Sequence, residues 1–545
     1  MRRIRILDTT LRDGDQAAGF AFSPEEKLVL ARALAEAGVD IIETGFPLSS
    51  PADFESCRRI ALEFAESRFE GAENAAKGGP VTALMCRGKA RDIRETAEVF
   101  RDGIPGVLHI SLPVSKTHIE AKFGKTEGDL LALAAEAVSF AAGLVPLVEL
   151  GAEDASRADP AFLLDYCETA LDAGAGIVNI ADTLGAFDPL RMSGLIAFLL
   201  EGVPGFRAGK AVLSVHCHND FGLACANTLA ALEAGCGQVE VSVSGIGERA
   251  GNAALEEVAV NLLARQDVYR VRTGIRPEKI PALLHLAAEF SGASGSPLKP
   301  LSGWNTRAHG SGIHQQGLLK DKATYSLPLL EDLDFVPERI VLSRHSGKAG
   351  VALFARRYCG LDLDEALLSR LRDLLKSTPE PSLGLSEFIR LLAGLGALPA
   401  PWPGLLLRTS FSERFSAGTE NGGGSRYRYR IAATLRRCRG PEPSGDSGDD
   451  SGEVGNSGGD DGVLDGEGET WVKVIPKAVS AYTGTELSLR RLGINGVGEK
   501  LRLYAEISTP GGKLYAPERI GSPAGLLLLD CCLDAVNGVA LVHSQ

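Results

Sequence analysis

Eight short β-rich runs alternate with longer helical segments over the first 270 residues, and this alternation limits the possible fold more than any other feature. The runs are Ile4–Thr10, Val39–Phe46, Val81–Cys86, Val107–Leu112, Val145–Gly151, Ile177–Asp182, Val212–His218 and Val239–Gly245. Between them, segments such as Pro24–Ala37 and Asn252–Ala264 carry apolar residues at helical spacing, and several end in a glycine such as Gly38, Gly174 or Gly235. Eight β/α units predict a TIM barrel, with an open doubly wound α/β sheet as the alternative.

The rest of the chain changes character twice. Helices are predicted at 279–292, 362–376 and 385–395, and prolines at 379, 381, 399, 401 and 403 mark a boundary. A small α+β domain is then predicted from the β-rich stretch 426–437, strand-like runs within 471–537 and a last helix at 524–537. The predicted domains are a barrel at 1–272, helical subdomains contributing to the active site at 273–398, and an α+β, regulatory-like domain at 399–545. The Gly/Ser/Asp tract 440–469 within the last domain is predicted to be disordered.

The charge of the chain argues against a nucleic-acid partner. The net charge is −13, but ten acidic and no basic residues lie between Gly440 and Glu469, which leaves the remainder nearly neutral. We find no basic stripe that could follow a phosphate backbone. We also find no run approaching the ~20 apolar residues of a membrane helix, and no apolar segment after the basic start. We therefore expect a cytoplasmic protein.

The ten cysteines include no C-x-x-C pair, and Cys531 and Cys532 are adjacent. Adjacent cysteines suit neither an ordinary disulfide nor a zinc knuckle. In a cytoplasmic protein, we expect reduced and mostly buried thiols.

The sequence Leu213-Ser-Val-His216-Cys-His218-Asn-Asp220 carries the strongest chemical signal. Side chains alternate along a strand, so His216 and His218 face the same way, about 7 Å apart along the backbone. At the C-terminal end of a barrel strand, two such imidazoles can bind one metal ion. The alternative is a pair of hydrogen-bonded histidines in the core.

Two further loops carry candidate ligands. Asp13 follows the first strand and can supply a carboxylate oxygen, while Arg12 beside it can pair with a substrate carboxylate or stabilise an enolate. Asn252 lies in the Gly-rich loop after the eighth strand, whose G-x-G-x-x-x-G spacing is not that of a dinucleotide site. Alone, each could be a simple capping turn or barrel-closing turn. Together with the two histidines, Asp13 and Asn252 predict a mixed N/O site for Mg²⁺, Mn²⁺ or Zn²⁺, which could polarise the ketone of a 2-oxo acid.

At this point the chain resembles the 2-isopropylmalate, homocitrate and citramalate synthases, over about residues 4–360. Two motifs carry the resemblance: Leu11-Arg12-Asp13-Gly14-x-Gln16 with Lys27 after it, and Leu213-x-x-His216-x-His218-Asn219-Asp220-x-Gly222. The resemblance implies a homodimer, acetyl-CoA as acyl donor, and a divalent metal held by Asp13, His216, His218 and Asn252. It also implies substrate-binding roles for Glu43, Arg87, Ser115, His118, Thr183 and His309, and catalytic roles for Arg12, Glu149 and His314.

The implied reaction is a Claisen-type condensation followed by thioester hydrolysis. His314, from the neighbouring subunit, and Glu149 are the two candidates for the base that removes a methyl proton from the acyl thioester. Ser115 and His118 resemble the branch that takes 2-oxoisovalerate and makes 2-isopropylmalate for leucine biosynthesis. Residues 110–115 and 153–159 are closer to those of a homocitrate synthase that takes 2-oxoglutarate. That substrate needs a cation for its distal carboxylate, which Lys116 could supply. Citramalate synthase, which takes pyruvate, is a further alternative.

Other readings of the same barrel remain. A 3-hydroxy-3-methylglutaryl-CoA lyase has a reactive cysteine after the eighth strand, where this chain has none, and carboxyltransferase-type domains use a lysine near the metal, which the His-Cys-His strand lacks. A non-enzyme alternative is an inactive barrel that senses an oxo acid. Residues 405–545 have the position and size of the regulatory domain of leucine-sensing synthases, but the acidic insert splits them.

Overall fold

A computed structural model gives the structure of this protein. It describes residues 1–70, 75–77, 79–291, 296–303, 305–333, 335–336, 339–377, 382–397, 405–419, 425–438, 461–468, 488–497, 500–508, 514–515 and 518–521. The chain divides into two compact units, one comprising mainly residues 1–293 and the other mainly residues 303–545. We describe each unit by itself.

The first unit is a closed barrel of eight parallel strands, which confirms the predicted TIM barrel and excludes the open sheet. The strands are β1 (Arg5–Asp8), β2 (Ile41–Glu43), β3 (Val81–Arg87), β4 (Gly106–Pro113), β5 (Leu147–Glu153), β6 (Ile177–Asp182), β7 (Val212–Cys217) and β8 (Gln238–Val241). Strand β8 pairs with β1 and closes the barrel. The strands β1, β2 and β8 are shorter than predicted, because the residues that follow them turn away from the sheet into the loops of the barrel mouth.

Helices follow the strands around the outside of the barrel. They are α1 (Pro24–Ala37), α2 (Pro51–Glu63), α3 (Ala90–Ala97), α4 (Glu127–Ala142), α5 (Pro160–Ala173), α6 (Pro189–Gly202), α7 (Ala224–Ala234) and α8 (Leu255–Ala264). Helix α1 shows how the sequence sets its ends: Ser23 and Glu26 form a capping box, Pro24 opens the first turn, and Gly38 ends the helix with a φ of 85°. Helix α8 begins three residues later than predicted, since Asn252 forms a β-bridge with His218.

Two apolar clusters hold the barrel together. The larger cluster lies between the sheet and the helices and contains residues such as Leu34, Ile60 and Leu199. The smaller cluster takes inward-facing side chains from seven strands: Leu7, Ile41, Val81, Ala83, Val107, Leu147, Ile177 and Val212. Because strand side chains alternate, the residues two positions further along the strands face the same interior. Those positions are polar in several strands, so a buried polar layer follows the apolar one towards the C-terminal mouth.

Further elements complete the first unit. Short strands pair Arg2–Arg3 with Val271–Arg272 and Arg68–Glu70 with Ala75–Lys77. Short helices lie at Pro204–Arg207 and Gln266–Tyr269. The helix Ile280–Ser291 packs against the main core through Leu283 and Ala287, so the compact unit extends past the predicted boundary at residue 272.

The described residues of the second unit form helices and three small sheets. Its helices are Gly312–Lys320, Pro328–Asp332, Lys348–Phe354, Glu365–Ser377 and Leu385–Gly394. Strands Ala308–His309 and Arg339–Ile340 pair in parallel. Leu405–Thr419, Ser425–Cys438 and Asp461–Gly468 form an antiparallel sheet, and Ser488–Val497, Lys500–Ser508, Leu514–Tyr515 and Glu518–Gly521 form another.

One prediction for this unit is corrected and others lie outside the described residues. Asp461–Gly468 pairs with the preceding strand, although we predicted disorder throughout 440–469. The prediction of disorder is based on the lack of apolar side chains in this tract. Backbone hydrogen bonds to a neighbouring strand do not require such side chains. Residues 439–460, the predicted helix 524–537 and the Cys531–Cys532 pair lie outside the described part of the chain.

Two observations bear on the predictions from composition. None of the helices in the described part of the chain combines the length and the apolar character needed to cross a bilayer. The cysteines whose side chains are described are free thiols, and all of them except the half-buried Cys225 are buried: Cys57, Cys86, Cys167, Cys217, Cys236 and Cys359.

Candidate active site

Asp13, His216 and His218 converge at the C-terminal mouth of the barrel, as predicted from three separate sequence positions. The two imidazole Nε2 atoms lie 3.1 Å apart, and Asp13 Oδ2 lies 3.6 Å from the Nε2 atom of His216 and 3.8 Å from that of His218. All three side chains are buried. Donor atoms bound at about 2.1 Å from one cation lie roughly 3.0–3.5 Å apart, so this arrangement fits a divalent metal ion.

The electrostatics of these three side chains also suit a cation. Burial and the neighbouring His216 lower the pKa of His218 to about 3, which keeps it in the neutral form that binds metals. Burial alone would lower the pKa of His216, but Asp13 and Glu240 raise it to about 9. Burial alone would raise the pKa of Asp13, whereas Arg12 and the imidazoles hold it well below its usual range. A bound cation would therefore displace a proton from His216.

Asn252 lies beside this cluster, in the loop after β8. Its side chain is buried, and its Oδ1 atom has no hydrogen-bond partner among the described residues. A Cβ atom placed on Gly247 would lie 2.5 Å from Asn252 Nδ2 and 3.1 Å from Asp13 Oδ1, so both side chains flank this glycine. An unsatisfied buried amide oxygen at this position is consistent with a fourth metal ligand.

A second group of potential ligands lies in the polar layer of the barrel, formed by Glu43, His109 and Glu240. Glu240 Oε2 lies 2.9 Å from His216 Nδ1, and Asn179 donates a hydrogen bond to the other oxygen of Glu240. His109 Nδ1 lies 2.8 Å from Glu43 Oε1. These side chains therefore have polar neighbours within the protein. Glu240 contacts the His216 ring at Nδ1, on the side opposite the Nε2 atom that faces Asp13 and His218.

Glu43 positions Arg12 at the edge of the predicted metal site. Its Oε2 atom accepts hydrogen bonds from Arg12 Nε at 2.6 Å and from Thr9 Oγ1 at 2.7 Å. Arg12 Nη1 donates to Asp13 Oδ2 at 2.8 Å. Glu43 is fully buried and orients Arg12 through this hydrogen bond, and its contact with substrate stays a prediction from the resemblance.

Ser115 and His118 lie together in the loop after β4, and both contact residues of the loop after β5. Ser115 Oγ donates to Asp154 Oδ2 at 2.5 Å and accepts from the backbone N–H of His118. His118 Nε2 lies 3.7 Å from Asp154 Oδ2 and 3.4 Å from Arg157 Nη2. We name the group formed by Ser115, His118, Asp154 and Arg157 the rim cluster.

Thr183 connects the rim cluster to the loops that carry the candidate ligands. Its hydroxyl accepts a hydrogen bond from the backbone N–H of Asp154 at 2.8 Å. Its carbonyl accepts from Arg249 Nη2, and Arg249 also pairs with Asp220, two residues after His218. The loops after β5, β6, β7 and β8 are therefore joined at the mouth.

Arg87 and Glu149 occupy contrasting places. Arg87 is 64% exposed at the end of β3 and pairs with Asp92. Glu149 is fully buried in the barrel interior, where one oxygen accepts a hydrogen bond from Gln238 Nε2 at 3.0 Å. Burial is the main cause that raises the pKa of Glu149, to about 8.

His309 and His314 belong to the second unit. Their ring centroids lie 6.2 Å apart, and His314 stacks on Tyr325 with centroids 4.0 Å apart. His314 is exposed in the first turn of the helix Gly312–Lys320. Within their own unit, these side chains form one small aromatic group.

Sequence reasoning missed three residues that organise the mouth: Asp154, His109 and Glu240. Glu240 lies in β8 and His109 in β4, and a titratable residue facing the interior from a barrel strand is the signal that could have found them. Asp154 stands three residues before Arg157, but its left-handed backbone, with a φ of 64°, cannot be read from the sequence.

Comparison with known families agrees with this geometry. The family model described as HMGL-like matches residues 3–286, and the one described as homocitrate synthase post-HMGL domain-like matches residues 301–380. Among solved structures, hydroxymethylglutaryl-CoA lyase from Pseudomonas aeruginosa matches with a TM-score of 0.44 and 21% identity, over 54% of this chain and 94% of that chain.

Curated relatives are more similar. The 2-isopropylmalate synthase of Pyrococcus furiosus is 40% identical over 388 residues, which are 71% of this chain and 74% of that protein. The 2-isopropylmalate synthase of Solidesulfovibrio magneticus is 44% identical over 349 residues, 64% of each chain. That of Synechocystis is 40% identical over 378 residues, 67% of this chain and 68% of that protein. The first family model spans more than half of this chain, and the archaeal relative is matched over most of its length, so the chain belongs to the HMGL-like family and to its group of 2-isopropylmalate synthases.

Proposed function

We propose that this protein condenses acetyl-CoA with a 2-oxo acid and hydrolyses the resulting thioester, with 2-oxoisovalerate as substrate and 2-isopropylmalate as product. The relatives named 2-isopropylmalate synthase support the reaction. The observation that carries the proposal is the convergence of Asp13, His216 and His218 beside Arg12. We further propose that the protein acts as a cytoplasmic homodimer in leucine biosynthesis, for which the support is the resemblance to the synthases.

We propose that Asp13, His216, His218 and Asn252 hold a divalent metal. When bound there, the metal supplies Lewis-acid polarisation of the ketone. Arg12, held between Asp13 and Glu43, presents its guanidinium to the substrate carboxylate or to the developing enolate. Thr183 Oγ1 accepts a hydrogen bond from the backbone N–H of Asp154, so its own hydroxyl proton is free to be donated to the oxo acid.

The remaining steps are proton transfer, carbon–carbon bond formation and hydrolysis. A base removes a methyl proton from the acetyl thioester, the enolate carbon attacks the ketone carbon, and water then cleaves the thioester to release CoA. Of the two candidate bases, we favour His314. Glu149 is fully buried, and with its pKa raised to about 8 it holds a proton at neutral pH.

The charges around the rim cluster favour a neutral oxo-acid side chain. Arg157 pairs with Asp154 at 2.6 Å, and Lys122 pairs with Glu153 at 2.5 Å. Lys116, which could have bound the second carboxylate of 2-oxoglutarate, is 79% exposed and lies 3.9 Å from Glu120. Each of these cations already has an acidic partner that offsets its charge, which disfavours 2-oxoglutarate relative to 2-oxoisovalerate.

The test is CoA release from acetyl-CoA, followed with a thiol reagent, in the presence of 2-oxoisovalerate, 2-oxoglutarate or pyruvate. We expect release that depends on 2-oxoisovalerate and is at least tenfold faster than with 2-oxoglutarate. Release with pyruvate or 2-oxoglutarate alone would replace the proposed substrate. No release with any of the three, from protein that has bound metal, would favour the oxo-acid sensor.

His314→Ala tests the proposed base. We expect loss of condensation with unchanged metal content, because His314 is not a proposed ligand. His285→Ala, which changes another exposed histidine on the helix Ile280–Ser291, is the matched control and should retain activity. Full activity in His314→Ala would remove that residue from the mechanism.

A further inference from the structure

Asp154 is the centre of the rim cluster. Its carboxylate is fully buried and accepts hydrogen bonds from Ser115 Oγ at 2.5 Å and from Arg157 Nη2 at 2.6 Å. Arg157 Nε adds contacts of 2.9 and 3.0 Å to the two carboxylate oxygens. A buried carboxylate with this many donors fixes the direction of each of them, because a rotation of any donor leaves the charge less well satisfied.

The backbone of Asp154 has a separate role. Its φ of 64° places it in the left-handed region, and its N–H donates to Thr183 Oγ1 at 2.8 Å. Asp and Asn tolerate this conformation better than most residues other than Gly. The side chain of Asp154 therefore acts on the loop after β4, while its backbone acts on the residue that follows β6.

His118 is held indirectly by the same carboxylate. Its backbone N–H donates to Ser115 Oγ at 3.2 Å, and its Nε2 atom lies 3.4 Å from Arg157 Nη2. Both of these partners are bonded to Asp154. Ser115, His118 and Thr183 are residues to which the resemblance assigns substrate binding, and we call them the oxo-acid pocket. Each is bonded to Asp154 directly or through one intermediate.

We propose that Asp154 is the positioning residue of the oxo-acid pocket: it orients Ser115, His118 and Thr183 and neutralises Arg157, so that the pocket accepts a neutral side chain. This inference rests on the proposed function. Without the carboxylate, Arg157 loses its partner beside His118 and becomes a cation able to attract a second substrate carboxylate. Asp154 thus sets affinity for the oxo acid and preference between oxo acids.

Asp154→Asn and Asp154→Gly separate the roles of the side chain and the backbone. Both replacements tolerate the left-handed backbone that donates to Thr183, and both remove the charge that holds Ser115 and Arg157. We expect each to raise the KM for 2-oxoisovalerate at least tenfold and to change the KM for acetyl-CoA less than twofold. We also expect the ratio of kcat/KM for 2-oxoglutarate to that for 2-oxoisovalerate to rise at least fivefold.

Asp102→Asn is the matched control. Asp102 also has a left-handed backbone, with a φ of 70°, and pairs with an arginine, Arg58, but it lies before β4, at the opposite end of the barrel. We expect both KM values to stay within twofold of wild type. This variant reports the effect of losing an Asp–Arg pair at a left-handed position away from the pocket.

Ser115→Ala, alone and combined with Asp154→Asn, tests whether the two side chains act together. We expect the same selective rise in the KM for 2-oxoisovalerate, and in the double variant with Asp154→Asn a smaller rise than the product of the two. Unchanged KM and substrate preference in Asp154→Asn, or equal losses for both substrates, would overturn the inference. A wild-type protein that releases no CoA would instead overturn the proposed function.

Discussion

Among the described residues, two groups of three buried side chains in the barrel could each hold a metal ion, and they differ in how their ligand atoms are used. In the first, Asp13 and the two histidines point their donor atoms at one another around a common centre. In the second, His109 bonds to Glu43, which also accepts from Arg12, and Glu240 accepts from Asn179. In both groups the potential ligand atoms lie within 4.8 Å of one another, so proximity alone does not identify a metal site. What distinguishes the first group is convergence, with the unsatisfied Oδ1 atom of Asn252 beside it.

The largest expected loss of metal and of activity comes from replacing one carboxylate in each group by the amide of the same shape. Asp13→Asn should lose bound metal and lower kcat by at least about a thousandfold, because it removes a charged ligand. Glu43→Gln should keep its metal and lower kcat about a hundredfold, because Arg12 loses its orienting carboxylate. Elemental analysis of the purified proteins, together with the thiol-release assay, measures both. Metal loss from Glu43→Gln alone would reverse the assignment of the two groups.

Glu240 belongs to the second group but contacts a ligand of the first, so its effect should be intermediate. Glu240→Gln should weaken metal binding about 10- to 100-fold, since Glu240 orients His216 through Nδ1. Asp102→Asn is the control, because it changes a carboxylate at the opposite end of the barrel that pairs with Arg58, and it should alter metal affinity less than twofold. Calorimetric titration of the metal-free protein with Mn²⁺ measures both. Equal affinities for Glu240→Gln and wild type would show that the groups are independent.

His109 tests the comparison through stability, with the smallest effect. Burial alone would lower its pKa, but Glu149 and Glu43 raise it to about 9 from an ordinary value of 6.5. A raised histidine pKa contributes stability below about pH 6.5 that is lost as the pH rises through about 9, a change of about 3 kcal/mol at most. Chemical denaturation at pH values from 6 to 10 should show this fall in wild type and a flatter profile in His109→Asn. The same slope in both proteins would exclude His109 as the group that titrates.

The parts of this site that could be predicted are those governed by local periodicity. The eight strands follow from alternating β-rich and helical runs, and the shared direction of His216 and His218 follows from their separation by two residues in a strand. Asp13 could be placed at the same mouth because it follows the first strand of a parallel barrel.

The remaining parts depend on contacts that no single segment encodes. Glu43 is fully buried beneath Arg12, which only the packing of β2 against the loop after β1 reveals. The rim cluster depends on the left-handed backbone of Asp154 and on Ser115, which lies 39 positions earlier in the chain. Asp461–Gly468 forms a strand because a neighbouring strand is available, although its composition resembles that of the rest of the Gly/Ser/Asp tract.

Gly247 limits how this barrel could be redesigned for another oxo acid. Because a side chain there would collide with the amide of Asn252 and press on Asp13, a larger residue at this point of the loop after β8 would displace two proposed metal ligands. Directed evolution of substrate choice should therefore find its changes on the β4 and β5 side of the mouth, where Asp154 sets substrate preference, and reject substitutions at Gly247. The two halves of the mouth would then evolve at different rates.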